Sequence, residues 1–327
     1  MLVPRRCFLA LCAAALAPRG SLAAPAGSAP AAPAGSAPAE PSPAAPAKPS
    51  PSPSPPLAPP PAFEVRDLHV PGDRALGRRF TLLVPKHLAP GERVPLLVLL
   101  HGLGETGDER MGAFAWLERY GLGSAYERLR RPPLARASRR KDWTDARLAE
   151  VNAALAARPF RGLAVACPFT PNVHRAPNPS AALDGYARWL AEVVLPRARA
   201  EAPVFDDAAR TSLDGCSLGG YIGAEVFLRR PELFGAWGGV QAALGAHRAP
   251  AYAERFEKAL AAAGPRDLHL LTSQRDPFRR ANAALAAQLA KRSIAHTLRV
   301  LPGPHDQPWL REAGTIEMLL FHDRRPR

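Results

Sequence analysis

The stretch Thr211-Ser212-Leu213-Asp214-Gly215-Cys216-Ser217-Leu218-Gly219-Gly220, followed by the run Tyr221 to Arg230, decides how this chain is read. A strand, a turn of small residues and a helix succeed one another, with Ser217 at the apex. Gly215, Ser217 and Gly219 have the GxSxG spacing of a nucleophile elbow. Glycines on either side let strand and helix approach closely, while the serine takes a strained backbone conformation that lifts its hydroxyl out of the sheet. The helix that follows points its free N–H groups at the turn, which favours a negative oxygen beside Ser217. Small residues also meet at this spacing by chance in a chain rich in alanine and glycine, so the strand before and the helix after carry much of the weight.

Upstream, Phe63 to Val70 alternates like a half-buried strand, and Arg78 to Val84 reads as its partner across the turn at Pro71-Gly72. Leu96 to Leu100 is uniformly apolar, as a central strand covered on both faces must be. It runs into His101-Gly102-Leu103-Gly104-Glu105, a glycine-rich turn at a carboxyl end, where ligands bind in open α/β sheets. Residues 108–160 form a long insertion with helix-like stretches, of a length that suits a lid. Leu163 to Cys167 is a short buried strand, and Ser180 to Ala200 a helix capped by Ser180 and bent before Pro196. After the elbow, strands are expected at 236–240, 268–272 and 296–301, with helices at 250–263, 278–291 and from about Trp309 to Phe321. The count is eight strands in a mostly parallel sheet with helices on both faces, an α/β fold.

A serine is a poor nucleophile until a base takes its proton, so a histidine held by a carboxylate is required. In hydrolases with this elbow the order along the chain is serine, acid, histidine, which restricts the search to residues after 217. His247, His269, His296 and His305 qualify, with His322 in the closing helix as an outsider; His269 and His296 fall inside predicted strands. His305 lies in Leu301-Pro302-Gly303-Pro304-His305-Asp306, directly after the last strand. Asp276 leaves the strand before it in Ser273-Gln274-Arg275-Asp276-Pro277 and is the candidate acid, with capping of the next helix as its bland alternative. Asp306 is the weaker rival, because a side chain next to His305 in sequence rarely faces the same ring.

With His101-Gly102-Leu103, Gly215 to Gly220, Pro231 to Gly235, Asp276-Pro277 and Gly303 to His305 in place, the chain from about Phe63 onward resembles the α/β-hydrolase superfamily, specifically the feruloyl esterase and esterase D group. The resemblance implies a serine esterase using Ser217, His305 and Asp276, with the backbone N–H groups of Leu103 and Leu218 as oxyanion hole and no cofactor or metal. The strand order it implies puts Cys167 and Cys216 about 9.6 Å apart, two strand spacings and beyond disulfide reach. Three departures bear on the substrate pocket: Leu218 stands where many relatives have methionine, Gln241-Ala242-Ala243 where many have a serine-glycine pair, and the insertion after His101 is long. Acyl transfer on the same fold is the close rival reading. A non-catalytic surface binding protein on a hydrolase fold is the rival from another class.

Composition bounds the rest. The chain has 327 residues, four cysteines and a formal charge of +14. Residues 1–24 carry Arg5 and Arg6, the apolar run Cys7 to Ala17 and the small residues Ser21 to Ala24, the pattern of an export signal, with a twin-arginine route suggested by the arginine pair. Residues 25–62 are almost only Pro, Ala, Ser and Gly, too poor in apolar bulk to fold, and read as a disordered spacer. The body, 63–327, holds one catalytic domain and no apolar run of the roughly 18 residues that a span requires. A periplasmic or extracellular location follows, with an ester of polysaccharide, siderophore or polyester origin as expected partner. The basic excess accompanies no nucleic-acid-binding motif, so no nucleic acid is expected.

Overall fold

The computed structural model describes residues 61–325; the expected export signal and all but the last two residues of the expected spacer lie outside them. Eight strands form one sheet: β1 (Phe63–His69), β2 (Arg79–Pro85), β3 (Leu96–Leu100), β4 (Ala164–Pro168), β5 (Thr211–Gly215), β6 (Ala236–Val240), β7 (Asp267–Arg275) and β8 (Thr297–Pro304). Their spatial order is β1-β2-β4-β3-β5-β6-β7-β8. β1 and β2 form an antiparallel hairpin, β2 pairs antiparallel with β4, and all other neighbours are parallel. Ala62, at the end of the expected spacer, already belongs to the body: its N–H donates to Glu127 at 2.8 Å and its carbonyl accepts from Lys86.

The core follows from the two-residue period of β3, whose five residues are all fully buried. Leu96, Val98 and Leu100 face one core, shared with the helices Pro179–Trp189, Leu218–Arg229, Ala249–Ala263 and Arg279–Lys291. Leu97 and Leu99 face the other, which contains Trp116, Tyr126, Leu129, Leu155, Ile316 and Leu319. The 108–160 segment is thus folded onto the sheet through its buried aromatic residues. Its helices are capped locally, Asp108 accepting from the Met111 N–H at 2.6 Å and Thr144 from that of Arg147 at 3.1 Å.

The structure departs from the local reading at three places. The cap of the helix Pro179–Trp189 is Asn178, which accepts from the Ala181 N–H at 3.1 Å, rather than Ser180; Pro179 then takes the first helical position, where its missing N–H costs nothing. The bend before Pro196 is a π-helical turn at Leu190–Val194, which accommodates the lost proline donor. β7 and β8 both run about three residues beyond their expected ends, because parallel pairing continues to Arg275 opposite Pro304, with a register shift between Ser273 and Arg275.

Among the described residues no helix is long and apolar enough to cross a membrane. Cys167 and Cys216 are both free and buried, on either side of β3.

Candidate active site

Ser217 sits between β5 and the helix Leu218–Arg229 with φ 53° and ψ −115°, a region that side chains other than glycine rarely occupy. The strain is held by hydrogen bonds on both sides. Ser217 N–H donates to the Val240 carbonyl at 3.0 Å, and the Ser217 carbonyl accepts from Ala243 at 2.9 Å and Tyr221 at 3.2 Å. The flanking glycines are demanded by contact: a Cβ on Gly215 would lie 2.5 Å from the Gly219 carbonyl carbon, and one on Gly219 would lie 2.2 Å from the Leu100 oxygen. Either would drive strand and helix apart.

The turn after β3 lies against the serine. A Cβ built on Gly102 would be 3.8 Å from the Cβ of Ser217. His101, fully buried, fixes this turn: Nδ1–H donates to the Gly102 carbonyl at 2.8 Å, and Nε2 accepts from the Thr170 N–H at 2.8 Å. That pattern needs the neutral ring, and burial pushes the His101 pKa down to about 4 despite the bond to Gly102. The Gly102 N–H donates to the Tyr120 hydroxyl at 3.2 Å, which donates in turn to the buried Glu105 carboxylate. Burial drives the Tyr120 pKa upward, so the phenol stays protonated and available for that bond. With Gly102 occupied, the Leu103 and Leu218 N–H groups are left without acceptors among the described residues.

The acid and the base arrive together from the far side of the sheet. Asp276 and His305 are the residues immediately beyond the last register pair of β7 and β8, Arg275 opposite Pro304. His305 Nδ1–H donates to Asp276 Oδ1 at 2.9 Å. The same oxygen accepts from the Phe278 N–H at 3.0 Å, and Oδ2 accepts from the Thr272 hydroxyl at 2.5 Å. Asp276 therefore caps the following chain and orients the imidazole at once. The Ser217 hydroxyl makes no hydrogen bond among the described residues, His305 included; such contacts commonly close only with substrate bound.

The rivals stand apart from this pair. Asp306 accepts from the Trp309 N–H at 2.8 Å and pairs with Arg140 at 3.1 Å. His247 is exposed, and His296 bonds the Ile294 carbonyl at 2.8 Å. His322 is buried against Asp214 at 2.9 Å, within the second core. His269 is buried and stacked on Phe321, ring centroids 4.3 Å apart. Burial, helped by His322 and Arg299, lowers the His269 pKa to about 3. The unfolded chain thus takes up this proton first, so the neutral ring contributes stability fully present above about pH 6.5 and lost as pH falls towards 3. We expect His269→Phe, which keeps the stack but does not titrate, to flatten the loss of unfolding free energy between pH 6.5 and 4 by about 3 kcal/mol. Urea titrations at both pH values check this, and parallel profiles for variant and wild type would refute it.

Three contributors carry no sequence signal of their own. Thr272 and Tyr120 look like ordinary strand and helix residues. Gln241 was visible only as a departure from the resembled family. It is buried with φ 50°, and its amide donates to Ser273 Oγ at 2.7 Å and to the Pro304 carbonyl at 3.0 Å, tying the turn beside Ser217 to the strand end that carries His305. Gln307, two residues past His305, donates to Glu105 at 3.2 Å and closes the ring of loops.

No family model and no curated protein sequence matches this chain. Solved structures do. A ferulic acid esterase superposes with a TM-score of 0.57 at 17% identity, over 81% of this chain and 98% of its own. S-formylglutathione hydrolase from Staphylococcus aureus gives 0.55 at 16% identity, over 80% and 96%. A fluorophosphonate-binding serine hydrolase from the same organism gives 0.54 at 14% identity, over 80% and 98%. Together with the sheet order, these likenesses establish the α/β-hydrolase fold expected from the sequence.

Proposed function

We propose that this chain is a serine hydrolase that cleaves carboxylic esters through an acyl-enzyme. The observation that carries the reading is the juxtaposition of Asp276 and His305 at 2.9 Å on the sheet edge where Ser217 stands in a strained turn. Ser217 Oγ attacks the ester carbonyl while His305 Nε2 takes its proton. Asp276 holds the Nδ1–H tautomer and stabilises the imidazolium. The oxyanion forms between the Leu103 and Leu218 N–H groups, where a preorganised donor is worth about 10²- to 10³-fold in rate. His305 then protonates the departing alcohol, and a water deprotonated by the same ring releases the acid.

The neighbours in fold are described as acting on ferulic acid esters and on S-formylglutathione, which supports an ester rather than a peptide bond as the target. The signal-like pattern of residues 1–24 supports export. The test is treatment of the purified protein with a fluorophosphonate and location of the adduct by peptide mass spectrometry. An adduct on Ser217 that disappears in His305→Ala is expected. Folded protein that takes no adduct would instead favour the non-catalytic surface protein. Product formed with a sugar acceptor in excess of hydrolysis would favour acyl transfer.

A further inference from the structure

A cavity of about 500 Å³ opens on the same edge of the sheet, between the ends of β3 and β4 and the start of β2. Three segments far apart in sequence build it, and its wall is crowded with arginine: Arg74, Arg78, Arg79, Arg110 and Arg175. Two of these guanidinium groups are neutralised, Arg79 by Asp67 at 2.8 Å and Arg110 by Glu118 at 2.9 Å. Arg74, Arg78 and Arg175 have no carboxylate partner among the described residues.

The two acidic residues in the wall form no ion pair with these three, and they offset the arginine charge only in part. Asp108 accepts from the Met111 N–H at 2.6 Å, and Glu109 accepts from the Arg78 backbone N–H, so both carboxylates are held by main-chain donors. Three guanidinium groups with no carboxylate partner thus share one concave space with two carboxylates held by main-chain donors, which leaves the wall with an excess of positive charge.

The cavity is also an extension of the candidate site. Thr106, in its wall, donates its hydroxyl to the Leu103 carbonyl at 2.9 Å. That is the far end of the 3-10 turn whose first N–H is the proposed oxyanion donor, roughly 6 Å along its axis at about 2 Å per residue. Phe169, also in the wall, packs on the His101 ring at 5.6 Å between centroids.

We propose that this cavity binds an anionic group of the substrate, a carboxylate or a phosphate, and that the ester hydrolysed at Ser217 belongs to an acidic molecule. The inference rests on the esterase reading and deepens it. Guanidinium forks match the geometry of both anions, and their shared positive field also favours approach of a negatively charged ester. The cavity's separation from Ser217 means that the anion is several bonds from the ester carbonyl.

The test compares kcat/KM for p-nitrophenyl monoesters of glutaric, adipic and suberic acids with the same compounds methylated at the free carboxylate. A second arm places the charge on the alcohol side, setting 4-acetoxybenzoate and 4-acetoxyphenyl phosphate against methyl 4-acetoxybenzoate, and so separates carboxylate from phosphate. We expect a preference of at least about tenfold for the anionic member of one arm at low ionic strength. The preference should shrink in 0.5 M salt, a concentration of order chosen to screen partly exposed charges. Arg74→Ala, Arg78→Ala and Arg175→Ala combined should bring the ratio near one, and Arg175→Glu alone should lower it further than Arg175→Ala.

Arg93→Ala removes the same unit charge before β3, at the opposite end of that strand, and should leave the ratio where it was. A ratio near one in the wild-type protein in both arms, or one that falls equally in Arg93→Ala and Arg175→Ala, overturns the anionic subsite while the esterase reading stands. Failure to turn over any of these esters, with no fluorophosphonate adduct at Ser217, overturns both.

Discussion

Ser217→Ala is expected to lower kcat by about 10⁶-fold, to the floor left by binding and oxyanion stabilisation alone. The size of the effect comes from the division of labour at the site. Without Oγ there is no atom for His305 to deprotonate, and the Asp276–His305 pair, intact at 2.9 Å, has nothing to act on. His305→Ala should cost about as much, and the double variant no more than either single one, since groups that act as a unit do not add. The fold should survive, because the alanine backbone keeps the Ser217 carbonyl bonds to Ala243 and Tyr221 and the N–H bond to Val240. Steady-state kinetics on the three variants, with thermal melts as control, checks this. Independent, multiplying losses would show that serine and histidine do not work on one bond.

Asp276→Ala is expected to lower kcat by about 10⁴-fold at neutral pH. Removing the carboxylate leaves the Thr272 hydroxyl and the Phe278 N–H without their acceptor, at about 1–3 kcal/mol for each buried orphaned donor, so the rates should be read well below the melting transition. Asp276→Asn distinguishes orientation from charge. The Phe278 N–H shares Oδ1 with His305 and admits only an acceptor there. It therefore turns the amide oxygen towards the imidazole and the amide nitrogen towards the Thr272 hydroxyl, which can accept. The tautomer is preserved and only the charge is lost, so the asparagine variant should retain at least about tenfold more activity than the alanine variant. An asparagine variant as slow as alanine would mean that the amide is flipped, with its nitrogen against Nδ1.

Much of this site was legible in the linear chain because its signals are local. The GxSxG spacing names Ser217 and its glycines, as a Cβ on Gly215 would meet Gly219 and one on Gly219 would meet the Leu100 carbonyl. The uniformly apolar Leu96 to Leu100 marks a strand buried on both faces, which fixes where the turn at Gly102 and Leu103 emerges. The juxtaposition of Asp276 with His305 was reached from chain order, and the structure supplies its cause in the parallel pairing that carries both strands on to Arg275 and Pro304.

What escaped the sequence acts across distance. Tyr120 reaches Gly102 from the 108–160 segment, which the aromatic residues Trp116 and Tyr126 anchor in the second core. Gln241 spans to Pro304, and Thr272 bonds Asp276 across the bulged end of β7. The arginines of the cavity come from three separate segments.

By itself, then, the sequence determined the order of strands and helices, the elbow and the candidate triad, because periodicity, glycine sterics and turn chemistry operate within a few residues of chain. The tertiary structure alone decided how far the strands extend, which side chains brace the candidate triad and where positive charge collects in excess. Those properties depend on which distant segments the packed sheet brings within hydrogen-bond or Coulomb range, and no pattern along the chain encodes that distance.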